Sequence, residues 1–329
     1  MKKKSIYINS KGGTGFQFAL SHILPELKEE YEEVAVISPY TDIFETNPYC
    51  DIAYKPNEIR DFIMDAKSKD AKLIVERMYD TEDFVYKKIS YADAWRKMAG
   101  LKPKGNKNGS DTHAVNDPLS KYPTIGQQKA SILEEIHKNG FGDFVICQFW
   151  GSQSPLVQVP ISTDKEGKQF PDWSKVPYDY NNEPLKRHYP VDLANEFVKM
   201  FREKHPKTAV ILFSLPNEPN IEGTFKFTVP YLTYQELAKD ENCKGIISID
   251  SSLQHLTAGL NKAVVIWAHS LPLSFGYEYN HNIIQDCRRD DIFYFSDLGP
   301  SGAAVRYIKP EKLLEEVDSY LFGEKKEAK

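Results

Sequence analysis

The chain has 329 residues, 41% of them hydrophobic, and its formal net charge is −5 at pH 7. This length exceeds what one hydrophobic core usually organises, so we expect two domains. The negative charge argues against a protein whose whole surface binds nucleic acid or another polyanion. No apolar run reaches roughly 18 residues, which predicts that no helix spans a membrane.

Strands and helices alternate along the chain, which is the pattern of a parallel α/β sheet. In the first half, apolar runs predict strands at 5–9, 34–38, 72–76 and 144–149. Apolar residues three and four positions apart predict helices at 16–30, 59–66, 89–99 and 125–138. Residues 102–122 are rich in Lys, Asn, Gly and Ser, which predicts a mobile loop of the kind that can cover a site.

The second half begins after a polar, proline-rich stretch at 151–184, which we interpret as a linker and an excursion between domains. Strands are predicted at 209–213, 245–249, 264–267 and 292–295, and helices at 190–205 and 310–321. We therefore predict an N-terminal domain at 1–150 and a C-terminal domain at 151–308. A C-terminal helix and tail at 309–329 are predicted to pack back on the N-terminal domain.

The four cysteines are scattered and lack the spacing of a metal site. They are Cys50, Cys147, Cys243 and Cys287. Most lie in or beside apolar runs, where a cysteine is typically a small buried residue. The sequence therefore predicts a reduced, cytoplasmic protein that holds no metal.

A turn of small residues follows the first strand: Gly12, Gly13, Thr14 and Gly15. Such a turn lets a ligand approach backbone N–H groups. It is not a P-loop, because Phe16 and Gln17 stand where Lys and Ser or Thr are needed, and the dinucleotide spacing G-x-G-x-x-G is absent. The alternative is a turn that only allows the strand and helix to pack closely.

Residues 245–268 read as strand, turn, short helix and strand, which is one parallel β-α-β step. Asp250 ends the strand, Ser252 lies in the turn, and His255 lies in the helix. Ligands of open α/β sheets bind at this carboxyl edge, and a helix N-terminus suits a phosphate. The alternative is an ordinary N-cap followed by a histidine that serves packing.

Three further segments carry candidate binding residues. Lys186 and Arg187 precede a helix N-terminus, where cations are unfavourable unless an anion lies there too. Ser152 and Glu218 each follow a predicted strand, where a hydroxyl can reach a phosphate and a carboxylate can hold a nucleoside hydroxyl. In each case the alternative is an exposed loop residue without a ligand.

Four motifs, taken in this order, resemble those of the family 9 glycosyltransferases, the heptosyltransferase-like group with the GT-B fold. They are GGTG at 12–15, NPYCD at 47–51, RHYP at 187–190 and DSSLQHLTAGL at 250–260. The resemblance covers nearly the whole chain apart from about 102–122 and 155–183. It implies an α/β protein whose two Rossmann-like domains face each other across a cleft.

The resemblance also implies a reaction: the metal-independent, inverting transfer of a sugar from a nucleotide-diphosphate donor. The donor is a co-substrate, so no cofactor is expected. The sequence does not identify the acceptor: a saccharide and a modified nucleic-acid base are both open. Nucleic acid is expected as a partner only in this role. By resemblance, Arg187 neutralises the diphosphate, Asp250 holds sugar hydroxyls and His255 contacts the diphosphate. Further donor contacts are assigned to Lys186, Ser152, Glu218 and Ser252.

One departure from the family pattern bears on catalysis. The family's catalytic Asp directly follows the glycine turn, and here that position is Phe16. A phenyl ring cannot take a proton from an acceptor hydroxyl, Gln17 cannot be a base, and His22 is expected to face the core. The sequence therefore assigns no base.

Two other functions remain open at this point. One is a non-catalytic GT-B protein that binds a nucleotide sugar and acts in regulation or as a scaffold. The other is a sugar-nucleotide epimerase, which needs carboxylate and His groups of the N-terminal domain facing the donor. The sequence shows no clear set of such groups.

Overall fold

The computed structural model describes residues 3–78, 81–86, 88–151, 161–163, 169–171, 189–216, 218–267, 271–285 and 307–323. Two parallel sheets organise these residues. The first sheet contains β1 (Lys3–Asn9), β2 (Tyr31–Ile37), β3 (Ile52–Tyr54) and β4 (Lys72–Val75), in the order β3-β2-β1-β4.

The second sheet has six strands in the order β12-β11-β10-β5-β8-β9. They are β5 (Asp143–Gln148), β8 (Thr208–Leu212), β9 (Phe225–Lys226), β10 (Cys243–Ile249), β11 (Ala263–Trp267) and β12 (His281–Ile284). A separate antiparallel pair is formed by β6 (Ile161–Thr163) and β7 (Gln169–Pro171). The predicted strand at 292–295 lies outside the described residues.

Helices connect the strands. Those before β5 are α1 (Thr14–Ser21), α2 (Leu24–Glu30), α3 (Thr41–Glu45), α4 (Ile59–Ser68), α5 (Glu82–Val85), α6 (Tyr91–Ala99), α7 (Pro118–Lys121) and α8 (Thr124–Lys138). Those after β5 are α9 (Val191–Lys204), α10 (Tyr231–Ala238), α11 (Ser252–Leu256), α12 (Pro272–Phe275) and α13 (Pro310–Val317), the last continued by a π-turn at Asp318–Phe322. The predicted α/β class is confirmed.

Each sheet contains one point at which the strand order reverses. In the first sheet the chain runs from β1 outward to β2 and β3, and then places β4 on the other side of β1. In the second sheet it runs from β5 to β8 and β9, and then returns to place β10, β11 and β12 on the other side. In open α/β sheets a crevice for ligands forms at the carboxyl ends of the strands that flank such a switch point.

One buried apolar cluster is continuous from the first sheet into the second. It contains Ile8 and Phe18 from the first part of the chain, and Ile246, Leu253 and Trp267 from the second. A cluster on the opposite face of the second sheet includes the helices α9 and α13. The two sheets are therefore joined by shared packing, which fixes how their switch points face each other.

The helix predicted at 16–30 is interrupted. α1 ends at Ser21 and α2 begins at Leu24, with Pro25 in the first turn of α2. Proline lacks an N–H donor and its ring crowds the carbonyl four residues earlier, here that of Ser21. The apolar spacing continues through the break, so periodicity alone did not reveal it.

Two predictions about domain organisation need correction. The strand predicted at 144–149 is β5, and it pairs with β8 and β10 rather than with the first sheet. The chain therefore changes sheets between β4 and β5, before the boundary predicted at residue 150. The C-terminal helix α13 buries Leu313 and Val317 against Phe197 and Phe201 of α9, so it packs on the second domain and not on the first. An apolar run indicates burial, but it does not say which partner buries it.

The segment predicted as a mobile loop, 102–122, is bonded to the second half of the chain. Ser110 donates its N–H to the Gly276 carbonyl over 2.8 Å and accepts from the N–H of Glu278 over 3.0 Å. Further along, the N–H of Ala114 donates to the Ala258 carbonyl over 2.8 Å. The expected loop is therefore held to the second half of the chain by backbone groups of Ser110 and Ala114, while Lys102, Lys104 and Lys107 are exposed.

Candidate functional site

At the switch point of the second sheet, one polar side chain of β5 bonds to the residues that follow β10. Gln148 accepts a hydrogen bond from the N–H of Leu253 over 3.0 Å and donates to Ser251 Oγ over 3.2 Å. A Cβ on Gly151 would lie 2.7 Å from Ser251 Oγ, so glycine is needed for this approach. The residues after β5 and those after β10 therefore form one surface. Sequence analysis missed Gln148, although it is the one polar side chain in an apolar run.

Asp250 lies at the carboxyl end of β10 and is 4% exposed. One of its carboxylate oxygens accepts from Gln254 Nε2 over 2.8 Å, four residues along the chain. The other amide atom of Gln254, Oε1, is buried without a hydrogen-bond partner among the described residues. The structure thus places Asp250 at the predicted edge and holds it there by Gln254. Its role toward a sugar stays a prediction.

His255 lies between the sheets and is part of a chain of hydrogen bonds. Its Nδ1 is 2.8 Å from the hydroxyl of Tyr277, which is 3.2 Å from Nδ1 of His22 on the first domain. The ring of Tyr91 meets His255 edge-on at a centroid distance of 6.0 Å. One hydroxyl hydrogen can serve only one of the two imidazoles, so the other must carry a hydrogen on Nδ1 and donate it to Tyr277.

Burial controls the protonation of this group. It lowers the pKa of His22 well below its ordinary value, and the neighbouring His255 and His113 lower it further. Burial also raises the pKa of the Tyr277 hydroxyl well above its ordinary value. His22 is therefore a neutral imidazole at pH 7, as expected for a histidine inside the core.

The glycine turn lies directly against the helix that carries His255. A Cβ on Gly15 would come within 2.9 Å of His255 Cδ2 and 3.7 Å of the Cα of Ser252. Gly15 follows the carboxyl end of β1, and His255 follows that of β10. The carboxyl edges of the two sheets therefore face each other, and residues from both predicted motifs share one site.

The same geometry changes the expectation for a phosphate at the helix after β10. That helix, α11, has five residues, and the N–H of Leu253 in its first turn is already bonded to Gln148. This amide is therefore not available to an anion unless Gln148 moves.

At the position where the resembled family has its catalytic base, Phe16 makes an aromatic contact between the domains. Its ring meets the Phe275 ring of α12 edge-on at a centroid distance of 5.8 Å. The Phe84 ring of α5 also meets the Phe275 ring edge-on, at a centroid distance of 5.7 Å. A Cβ on Gly12 would lie 2.7 Å from the Cβ of Phe16. An apolar cluster thus replaces an ionisable group at this position.

A carboxylate fills the switch point of the first sheet. Glu76 directly follows β4, and its Oε2 accepts from Ser10 Oγ over 2.8 Å, from the N–H of Lys11 over 2.9 Å and from the N–H of Gly12 over 3.1 Å. The N–H groups of Lys11 and Gly12 at the start of the glycine turn are therefore satisfied within the protein. Glu76 was not predictable as a site residue, because it ends an apolar run and has the pattern of the last residue of a strand.

Glu218 lies beyond the carboxyl end of β8, which neighbours β5. Its Oε2 accepts from the N–H of Leu215 over 2.7 Å, and its carbonyl accepts from Lys226 Nζ over 2.7 Å. Burial raises the pKa of Glu218 to about 7, although the Leu215 amide and the charge of Lys226 act in the opposite direction. The structure thus places Glu218 on the same edge as Gln148, one strand away.

Three predicted donor contacts, Lys186, Arg187 and Ser152, lie outside the described residues. Of the residues described on either side of them in the sequence, Gly151 lies against Ser251, and the N–H of Tyr189 donates to the Phe149 carbonyl over 2.8 Å. Among the residues that the structure describes, no group of three or more His, Cys, Asp or Glu side chains is arranged to hold a metal. In the same ranges, no helix has the length and apolar character that crossing a bilayer requires.

Comparison with known proteins finds similar solved structures but no match by sequence. No protein-family model matches the chain, and no curated protein matches it. Among solved structures, ADP-heptose LPS heptosyltransferase II of E. coli is similar with a TM-score of 0.61 and 12% identity, covering 97% of this chain and 99% of that chain. A family 9 glycosyl transferase of Veillonella parvula is similar with a TM-score of 0.62 and 13% identity, covering 98% of both. The chain therefore has the GT-B fold of the heptosyltransferase-like, family 9 glycosyltransferases.

Proposed function

We propose that this protein is a glycosyltransferase that moves a sugar from a nucleotide-diphosphate donor to an acceptor hydroxyl, with inversion and without a metal ion. The observation that carries the proposal is the contact of Gly15 with His255, because it sets the switch points of two parallel sheets face to face. Such a crevice suits two substrates, one held by each sheet. The heptosyltransferase with the same fold is described as acting on ADP-heptose, a donor of the proposed class.

The donor is assigned to the second sheet. At the first switch point the carboxylate of Glu76 already accepts from the N–H groups of Lys11 and Gly12, so a diphosphate beside it would meet like charge. At the second, Gln148, Ser251 and Asp250 present amide, hydroxyl and carboxylate groups. This mixture suits the hydroxyls of a sugar.

The remaining contacts follow the parts of the donor. Glu218, beside β5, is positioned for a hydroxyl of the nucleoside. Asp250 holds sugar hydroxyls, with Ser252 nearby on α11. Arg187, with Lys186, Ser152 and His255, stabilises the negative charge that develops on the leaving diphosphate. A guanidinium can make two parallel hydrogen bonds to a phosphate, and this supplies the charge for which other enzymes use a metal.

The test uses a panel of ADP-, UDP- and GDP-linked sugars in the presence of EDTA. A cell extract of small molecules supplies acceptors, and release of nucleoside diphosphate is measured together with thermal stability. We expect one donor class to stabilise the protein, by about 2.7 kcal/mol at a hundredfold excess over its Kd, and to be consumed despite EDTA. Arg187→Ala is expected to weaken that stabilisation. A protein that is neither stabilised by nor active on any donor would overturn the proposal.

A second candidate function is a non-catalytic protein that binds a nucleotide sugar. The packing of Phe16 on Phe275 favours it, because an apolar cluster stands where the family has its base. The same experiment separates the two functions. Stabilisation by a donor without release of nucleoside diphosphate, under any acceptor condition, would establish the binding protein.

A further inference from the structure

The crevice contains a carboxylate that has no counterpart in the expected motif. Glu76 lies at the switch point of the first sheet, on the side opposite the groups assigned to the donor. The glycine turn links the two sides, because the N–H of its first residue, Gly12, bonds to Glu76 and its last residue, Gly15, lies against His255. A sugar transferred between the sheets would react in the space that this turn borders.

The two oxygens of Glu76 have different environments. Oε2 accepts three hydrogen bonds, from Ser10 Oγ and from the N–H groups of Lys11 and Gly12, which fix the orientation of the carboxylate. Oε1 accepts no hydrogen bond from the residues that the structure describes. It lies 3.0 Å from the position of a Cβ on Gly12, so a glycine there keeps the space beside Oε1 open. Oε2 thus holds the carboxylate in place, and the lone pairs of Oε1 are available to accept a proton.

Other ionisable groups near the glycine turn are committed elsewhere. His22 is 2% exposed and bonded to Tyr277, and burial lowers its pKa. Glu45 accepts a short hydrogen bond from Tyr122. Glu26, Asp93 and Asp111 all bind the buried guanidinium of Arg96. Glu76 is a carboxylate at this end of the first sheet whose geometry suits proton transfer.

We propose that Glu76 is the general base of this protein and takes over the role that Phe16 cannot perform. The inference rests on the proposed glycosyltransferase function. In the step, the acceptor oxygen forms a bond to the anomeric carbon, the bond from that carbon to the diphosphate breaks, and its electron pair leaves with the nucleoside diphosphate. The acceptor proton passes to Oε1 of Glu76 and is later released to water.

The decisive variant is Glu76→Gln. The amide oxygen of Gln can still accept from Ser10 and from the turn, so the fold and donor binding are preserved, but an amide cannot take the proton. We expect donor-induced stabilisation to stay within twofold of wild type in apparent affinity. Release of nucleoside diphosphate, measured with water alone or with extract as acceptor, should fall about 100-fold or more.

A matched control is Glu58→Gln. Glu58 also follows a strand of the first sheet, and its carboxylate also accepts from a backbone N–H, that of Lys55 over 2.6 Å. It lies beyond β3, at the far edge of the sheet. Turnover by Glu58→Gln should equal that of wild type, which shows that losing a carboxylate near this sheet is not sufficient to stop the reaction.

A second variant tests whether Glu76 has only a structural role. Glu76→Ala removes both the base and the anchor, and added formate can supply a carboxylate in the vacated space. Rescue of turnover by formate in Glu76→Ala, and not in wild type, is the expected result. Turnover by Glu76→Gln at the wild-type rate would overturn the assignment while leaving the glycosyltransferase function intact. A wild-type protein that binds donors but never turns them over would overturn both.

Discussion

Gly15 and His255 touch across the two sheets, and the contact leaves no room for a side chain on Gly15. A Cβ there would lie 2.9 Å from His255 Cδ2, closer than real Cβ atoms approach. Because His255 is also bonded to Tyr277 on its other side, the ring cannot retreat without breaking that bond. Two sequence motifs more than 200 residues apart therefore fit each other at atomic distance.

Gly15→Ala should destabilise the protein by about 1–3 kcal/mol, since overpacking forces His255 or α1 to shift. Better helix propensity offsets at most about 1 kcal/mol of this loss. Urea denaturation of the variant provides the measurement. Gly126→Ala in α8 is the matched control, because its Cβ would lie 3.5 Å from Leu119, an ordinary contact. That variant should be neutral or more stable, and a Gly15→Ala protein of equal stability would contradict the close contact.

Tyr277→Phe should leave the Nδ1 atoms of His255 and His22 without their shared partner. Removing one partner of a buried hydrogen bond typically costs about 1–3 kcal/mol. Since the hydroxyl also fixes the tautomers of the two rings, nitrogen NMR of the imidazoles should show a changed tautomer for at least one of them. Tyr31→Phe removes the hydroxyl that donates to the Ala99 carbonyl over 2.9 Å, and it should leave both imidazoles unchanged. Identical imidazole spectra in Tyr277→Phe would show that the hydroxyl does not set the tautomers.

Arg96→Met should be strongly destabilising. The Arg96 side chain is fully buried and binds Glu26 at 2.6 Å, Asp93 at 2.9 Å and Asp111 at 2.7 Å. Glu26 and Asp111 keep their pairs with Lys104, but the buried carboxylate of Asp93 loses its pair with Arg96. Breaking a buried pair in this way costs about 3–5 kcal/mol. Chemical denaturation measures the loss. Lys138→Met breaks only the exposed pair with Glu134 and should cost less than about 0.5 kcal/mol. Equal losses in the two variants would show that the buried network adds nothing.

Glu218→Gln should change how stability depends on pH. Because burial raises the folded-state pKa of Glu218 to about 7, the folded protein holds this proton at pH values where the unfolded chain, with a pKa of about 4.3, has lost it. Wild-type stability should therefore fall as pH rises from about 4.3 to 7 through this group. Relative to wild type, Glu218→Gln should be more stable at pH 8 than at pH 5, measured by denaturation at both values. A pH-independent difference would contradict the raised pKa.

Most strands of the two sheets were predictable, because buried parallel strands appear as apolar runs in the sequence. The glycine turn and the segment from Asp250 to His255 were also identified correctly as neighbours of strand ends, since their residue types are unusual for packing alone. Their contact with each other was expected only through the resemblance to a family. The spacing of residues along a chain carries no information about which distant strand ends face each other.

Glu76 and Gln148 show why other parts of the site were missed. Each is a single polar residue at or near the end of an apolar run, where polar residues are common. Their importance comes from the partners they bind: the glycine turn for Glu76, and the start of α11 for Gln148. Those partners are 64 and 105 residues away in the chain, so no local pattern indicates them. The contacts of segment 102–122 were unpredictable for the same reason, since backbone groups of Ser110 and Ala114 bond to distant backbone.

The bonds between that segment and the second half of the chain limit how the protein can move. Ser110 pairs with the backbone on both sides of Tyr277, and Ala114 is bonded to Ala258. A hinge motion that opened the crevice would have to break these bonds and part the shared core, which is costly. We therefore expect the two domains to keep a fixed separation throughout the reaction cycle. Substrates would then enter through rearrangement of surface segments at the mouth of the crevice.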